Sequence, residues 1–106
     1  MSTKPWRIHP EAEEERDRAA ADYADVDEEL GADFRDALRA SISALRHTPA
    51  VGTALKVGKH HIRRARLRRF PFSLVFVELD TEYLVLAVSH VRQRPLYWKK
   101  RLRAVR

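Results

Sequence analysis

The sequence has no cysteine, and its 106 residues include one methionine and three glycines. Without cysteine there is no disulfide framework and no thiolate metal site, which fits a reducing compartment. No apolar run approaches the roughly 18 residues that a membrane-spanning helix needs, and the N-terminal stretch lacks the apolar segment of a signal peptide. We therefore expect a soluble cytoplasmic protein that makes no contact with a membrane.

Linkers, internal repeats and low-complexity segments are also lacking, so nothing divides residues 1–106 into parts. A chain of this length buries one modest core. We predict a single domain that spans the whole chain.

Acidic residues are scarce in the second half of the chain. Residues 1–55 carry 7 Lys and Arg against 12 Asp and Glu, whereas residues 56–106 carry 14 against 3. The charge therefore changes from −5 in the first half to +11 in the second. This split indicates a basic surface that faces an anionic partner, either nucleic acid or an acidic protein. The alternative is a solvated basic face without a partner.

The N-terminal half predicts one strand and two helices. Residues 5–9 have the alternation of a short edge strand. Pro10 suits the first position of a helix, lined mostly by alanines, for which Gly31 is the expected C-cap. Apolar residues at intervals of three and four predict a second helix from about Asp33 to His47, which Pro49 ends.

The C-terminal half predicts a sheet and a short last helix. Residues 49–59 contain proline and glycine without a strong period, so we predict a loop there. His60 to Arg69 alternates as a strand. Phe72 to Leu79 and Tyr83 to Val88 are nearly continuous apolar runs joined by a short polar turn, which is typical of a hairpin at the centre of a sheet. Pro95 to Arg103 predicts a basic helix that opens with proline.

These elements define the predicted fold class. It is α+β, with an N-terminal strand and a helical hairpin packed on a small, mainly antiparallel sheet. The order is β-α-α-β-β-β, followed by the short C-terminal helix.

The candidate site is a row of arginines followed by a basic, aromatic tail. As a strand, His60 to Arg69 places Arg64, Arg66 and Arg68 on one face, about 7 Å apart. Arginine binds phosphate bidentately, and tyrosine or tryptophan beside it stacks on unpaired bases. The residues that we expect to contact nucleic acid or another target are Arg68, Arg69, Arg92, Trp98, Lys99, Lys100 and Arg101.

A metal-independent ribonuclease site is one interpretation of these residues. Such a site needs a group that activates the 2′-hydroxyl, a proton donor to the leaving oxygen, and cations that stabilise the developing charge. His90 and Tyr97 are the candidates for the first two roles, and Arg64, Arg66 and Arg94 for the third.

A structural role competes with each functional one. Trp98 and Tyr97 would pin the final helix to the sheet, and His90 would hydrogen-bond a turn. His60-His61 has no partner at metal-site spacing, so we expect neither a metal nor another cofactor. The helix dipole and solubility account for the carboxylates of the first helix.

Three motifs follow one another in the second half: RRFPF before LVF (68–76), AVSH (87–90) and RPLYW (94–98). Together with the alanine- and acid-rich first helix, they resemble the RelE/ParE superfamily of bacterial type II toxins over almost the whole chain. The Phe-Pro-Phe and His90 pattern is most similar to the ParE-like, plasmid-stabilisation branch. The resemblance implies a toxin that arrests growth and a cognate antitoxin that neutralises it in a hetero-oligomer.

The resemblance leaves two targets open. RelE-like members cleave mRNA in the ribosomal A site, and ParE-like members poison DNA gyrase. By motif, Arg64 and Arg66 match basic residues on the second strand of RelE-like toxins, and Arg94 and Tyr97 lie near their C-terminal arginine and tyrosine.

Ser73 stands where RelE-like enzymes usually carry an arginine that contacts the scissile phosphate, so the resemblance slightly favours a gyrase poison over an mRNA endonuclease. The Pro-Leu-Tyr-Trp tail is seldom seen in gyrase-directed members. A third alternative is a non-toxic basic RNA-binding module.

Overall fold

The computed structural model describes residues 4–48 and 52–104. In chain order the elements are β1 (Trp6–Ile8), α1 (Pro10–Val26), α2 (Glu28–His47), β2 (Thr53–Val57), β3 (His60–Arg66), β4 (Phe72–Glu78), β5 (Tyr83–His90) and a C-terminal 3₁₀ helix (Tyr97–Ala104). The predicted α+β class is confirmed.

The five strands form one sheet in the order β1-β5-β4-β3-β2. Among the described strands only β1, at one edge, pairs in parallel, with Trp6 beside Tyr83 and Ile8 beside Val85. The apolar strands β4 and β5 lie next to each other inside the sheet, as predicted, and both of their faces are covered. The predicted hairpin is therefore confirmed, and it forms the centre of the fold.

The strand β2 was missed from the sequence. It occupies Thr53–Val57 within the predicted loop 49–59, so that prediction is wrong there, whereas residues 49–51 lie outside the described part of the chain. Its residues are exposed except Val57, so the alternation of a half-buried strand is absent. A turn at Gly58, whose φ is 60°, reverses the chain so that β2 pairs with β3.

The junction between the two helices lies at Asp27 and not at Gly31. Asp27 is extended, and its carboxylate accepts a hydrogen bond of 2.9 Å from the N–H of Glu29, so it caps α2. Gly31 lies inside α2, where a Cβ would come within 2.8 Å of the Ala20 carbonyl oxygen and of Ala24 Cβ. The predicted C-cap is wrong because this glycine instead allows α1 and α2 to pack closely.

Two apolar clusters cover the two faces of the sheet. On one face, the rings of Phe34 and Phe72 meet edge-on with their centroids 5.1 Å apart, under the helical hairpin. On the other face, Trp98 and Leu102 of the C-terminal helix pack on Ile62 and its neighbours. This helix covers only part of its face of the sheet, and the remainder forms the groove described below.

Among the helices that the structure describes, none is both long enough and apolar enough to cross a membrane.

Candidate functional site

A groove of about 540 Å³ opens on the sheet beside the C-terminal helix. Its floor includes Ser73 of β4, and residues 90–91 and 93–96 together with Trp98 line it from the C-terminal side, whereas Arg92 does not. Thr53 and Leu55 line it from β2, the strand that the sequence analysis missed. The site is therefore built from the sheet and from the segment that leads into the last helix.

Strand alternation brings Arg64 and Arg66 into this groove. Ile62, two residues before Arg64, belongs with Trp98 to the apolar cluster on this face, so the arginines at alternate positions lie on the same face of the sheet. In the register of β3 and β4, Arg64 pairs with Val75 and Arg66 with Ser73. Two members of the predicted arginine row therefore lie together in the groove.

Arg68 and Arg69 lie outside the groove. The strand ends at Arg66, and Arg68 follows it as an exposed residue outside the groove. Arg69 has a φ of 72°, its guanidinium lies 3.4 Å from the Asp33 carboxylate, and it lies over the ring of Phe70. Both lie outside the groove and remain predicted target contacts.

The cations of the groove are not neutralised by the fold. The side chains of Arg64, Arg66 and Arg94 make no ion pair or hydrogen bond with any residue in ranges 4–48 and 52–104, and the described lining contains no acidic residue. Elsewhere basic side chains meet carboxylates, for example Arg7 and Glu82 at 2.7 Å. The groove therefore presents uncompensated positive charge to a partner.

His90 lies in the groove at the end of β5 and also stabilises the turn that follows. Its Nδ1 accepts a hydrogen bond of 3.0 Å from the N–H of Arg92, and its own backbone N–H donates to Gln93 Oε1 at 2.8 Å. Acceptance at Nδ1 places the proton of a neutral imidazole on Nε2. The interpretation of His90 as a turn residue is confirmed, and its role as an acid or base stays a prediction.

Tyr97 does not line the groove. Its hydroxyl donates a hydrogen bond of 2.6 Å to Glu15 Oε2. Burial and this bond to Glu15 raise the pKa of Tyr97 above its ordinary value. A phenol held in its protonated form by a carboxylate is poorly suited to remove a proton near neutral pH.

Arg101 is fastened within the fold by the same carboxylate. Its Nη1 and Nη2 donate to the two oxygens of Glu15 at 2.9 Å each, Nη1 also donates to the Leu86 carbonyl at 2.8 Å, and Nε lies 2.7 Å from Glu11 Oε2. Burial lowers the pKa of Arg101, but the hydrogen bond and charge of Glu15 outweigh it and raise the pKa. A role of Arg101 in target binding remains a prediction.

Glu15 is the residue of this region that the sequence analysis missed. Assigning all carboxylates of the first helix to dipole and solubility is wrong for Glu15, which bonds Tyr97 and Arg101. A signal was present, because Glu15 lies three residues after Ala12 and four before Ala19, on the buried stripe of α1.

Trp98 is 4% exposed and belongs to the apolar cluster under the C-terminal helix. The interpretation that it pins this helix to the sheet is therefore confirmed. Lys99 and Lys100 are exposed and line a second, shallower cavity together with Arg94. In the described part of the chain no group of His, Cys, Asp and Glu side chains is placed to hold a metal ion.

The raised pKa of Tyr97 predicts a pH dependence of stability. Above about pH 10 an unfolded tyrosine loses its proton, whereas folded Tyr97 keeps it to a higher pH. Stability from the neutral phenol is thus complete below this pH and is lost as the pH rises above it. We expect the free energy of unfolding to fall less steeply with pH in Tyr97→Phe, measured by urea denaturation between about pH 9 and pH 12. Tyr23, whose pKa burial also raises, is present in both proteins, and equal slopes would contradict the prediction.

The fold and the groove define a class of small α+β proteins with RelE/ParE-like architecture, in which a helical hairpin packs against a sheet with a basic opposite face. The family model described as ParE toxin of type II toxin-antitoxin system, parDE, matches residues 6–95. The chain belongs to this family of toxins, and its partner is accordingly an antitoxin. No curated protein matches the chain.

Family membership confirms the resemblance to the RelE/ParE superfamily and replaces the alternative of a non-toxic RNA-binding module. The matched segment includes Arg64, Arg66, His90 and Arg94, but it ends at residue 95. The C-terminal helix and its bonds to Glu15 therefore involve residues beyond the match.

Proposed function

We propose that this toxin arrests growth by binding and poisoning DNA gyrase, and that its arginines bind the target without cleaving RNA. The observation that carries the proposal is the position of Tyr97, whose hydroxyl is bonded to Glu15 and does not line the groove that contains the arginines. The groups required for RNA cleavage do not converge, because the proton-transfer candidate Tyr97 is held away from Arg64 and Arg66.

Ser73 supports the same proposal. It is buried in the floor of the groove and pairs with Arg66 on one side and Ser89 on the other. A neutral hydroxyl at this position supplies no fixed charge for a phosphorane, and the loss of one such stabilising group typically lowers a rate by about 10²–10³-fold.

The rim of the groove supports a protein target. Among the described residues, the exposed large apolar side chains are Leu55, Val91, Leu96 and Val26, and the first three line the groove, with 38%, 50% and 39% exposure. Apolar side chains around unpaired arginines suit a surface with both apolar and acidic groups. A bare RNA backbone offers only the second kind of contact.

The test is to add the purified chain to DNA gyrase and plasmid and to follow supercoiling and cleaved DNA. We expect inhibition with accumulation of linear plasmid, and about tenfold weaker potency for Arg94→Ala, since a charge-assisted hydrogen bond contributes about 1.5–3 kcal/mol. Arg18→Ala, at an exposed position of α1, is the matched control with the same change in charge and should act like the wild type.

One observation favours an mRNA endonuclease as the second candidate. His90, with a proton on Nε2 when neutral, lines the same groove as Arg64 and Arg66. Mapping of mRNA 5′ ends on translating ribosomes separates the two functions. Cuts at the A-site codon that disappear in Arg94→Ala, with gyrase unaffected, would replace the gyrase proposal.

A further inference from the structure

Strand β5 has an irregularity next to the C-terminal helix. Val85 pairs with Phe76 and Ala87 with Val75, so Leu86 is an extra residue that has no partner on β4. Such a bulge changes the direction in which the following backbone groups point. On the other side of β5, the paired segment of β1 ends at Ile8.

Side chains occupy the edge of β5 that β1 leaves open. The carbonyl of the bulged Leu86 accepts a hydrogen bond of 2.8 Å from Arg101, and the N–H of Val88 donates one of 3.0 Å to Glu15 Oε1. Glu15 and Arg101 also bond each other. A carboxylate of α1 and a guanidinium of the C-terminal helix thus replace the backbone partners that a longer β1 would supply.

The carboxylate is the common partner of this cluster. Glu15 accepts from Val88, Tyr97 and Arg101, and the side chains of Glu15 and Arg101 are only 18% and 10% exposed. Without the carboxylate, the shielded guanidinium would keep, among the described residues, only Glu11, which is mostly exposed, as its acidic partner. Such a charge is poorly tolerated, so the guanidinium would turn towards water and the attachment of the helix to α1 would weaken.

The segment that this cluster fixes is the C-terminal wall of the groove. Arg94, Pro95 and Leu96 line the groove and directly precede Tyr97, the first residue of the helix. Leu96 has a φ of 61°, a left-handed conformation that a leucine adopts only when its surroundings impose it. The clamp on Tyr97 and Arg101 provides such a constraint.

We propose that Glu15 is a positioning residue for the toxic surface, because it fastens the C-terminal helix across the bulge of β5 and so holds Arg94 and Leu96 in place. Glu15 itself does not line the groove and acts through Tyr97 and Arg101. The inference rests on the proposed function only in taking the groove as the surface that meets the target.

The test compares Glu15→Gln with Glu14→Gln, its exposed neighbour on α1 and a matched change of charge. Hydrogen exchange followed by mass spectrometry is measured for segments 94–104 and 72–90, and growth arrest is titrated by inducing each variant without antitoxin. For Glu15→Gln we expect exchange at least about tenfold faster in segment 94–104 only, and growth arrest at least about tenfold weaker, the size of one lost charge-assisted hydrogen bond. Glu14→Gln should match the wild type in both.

Two results would overturn the inference: a C-terminal segment that exchanges at the wild-type rate in Glu15→Gln, or one that is loosened while growth arrest keeps its full potency. If Glu15→Gln accelerates exchange throughout the chain, Arg101→Lys replaces it, since lysine keeps the charge but lacks the paired N–H groups, and the same two readouts decide. The growth-arrest measurement compares the variants in the same way whichever target the toxin poisons. If the wild-type protein does not affect gyrase, the proposed function is wrong, but the comparison of Glu15→Gln with Glu14→Gln stays valid.

Discussion

Replacing Arg64 and Arg66 together by alanine is expected to weaken growth arrest about 100-fold, with the free energy of unfolding almost unchanged. Both guanidinium groups line the groove, and neither bonds to another residue within 4–48 or 52–104. The described part of the fold therefore loses no ion pair or side-chain hydrogen bond when they are removed. The target, in contrast, loses two charge-assisted contacts, each worth about 1.5–3 kcal/mol.

The measurement is a titration of induced toxin against growth, together with urea denaturation of the purified proteins. Arg18→Ala with Arg46→Ala is the matched control, because both residues are exposed on the helices and the net charge changes equally. If the control weakened growth arrest as much as the groove variant, overall charge and not the groove would determine toxicity. Loss of stability in the groove variant would show that these arginines support the fold.

One wall of the groove could be predicted from the sequence, and the opposite wall could not. Strand alternation alone placed Arg64 and Arg66 on one face, and that placement is confirmed because the apolar β4 and β5 fix the register of their neighbour β3. The opposite wall is β2, which could not be predicted because it is an exposed edge strand whose pairing comes from the turn at Gly58. Exposed strands lack the periodicity from which a strand is recognised.

Sequence reasoning also failed for residues whose role depends on contacts with other elements of the fold. Gly31 resembles a helix end locally, but it serves a contact with Ala20 that only the packed hairpin creates. Glu15 resembles the solvated carboxylates around it, but its partners Tyr97 and Arg101 lie more than 80 residues away. Local patterns describe single elements well, and such long-range pairs become visible only when the elements are packed together.

The largest effect on stability is expected at Trp98. Trp98→Ala should lower the free energy of unfolding by about 3–5 kcal/mol, because the side chain is almost fully buried in the apolar cluster that also contains Ile62, Val77 and Leu84. A domain of this size is typically stable by only about 5–15 kcal/mol, so this loss would be a large fraction of the total stability. Urea denaturation at 25 °C measures the loss directly.

Trp98→Leu separates the two roles that were predicted for this residue. Leucine fills part of the same apolar space but cannot stack on a base or on a partner's ring, so we expect a smaller loss of stability and nearly full toxicity at temperatures where the variant is folded. If Trp98 contacts the target through its ring, the folded Trp98→Leu protein should instead lose toxicity as completely as Trp98→Ala. Leu102→Ala, a change in the same cluster outside the groove, shows how far toxicity follows the attachment of the C-terminal helix. A common dependence of toxicity on stability in all three variants would place Trp98 in the core that supports the groove and not among the residues that bind the target.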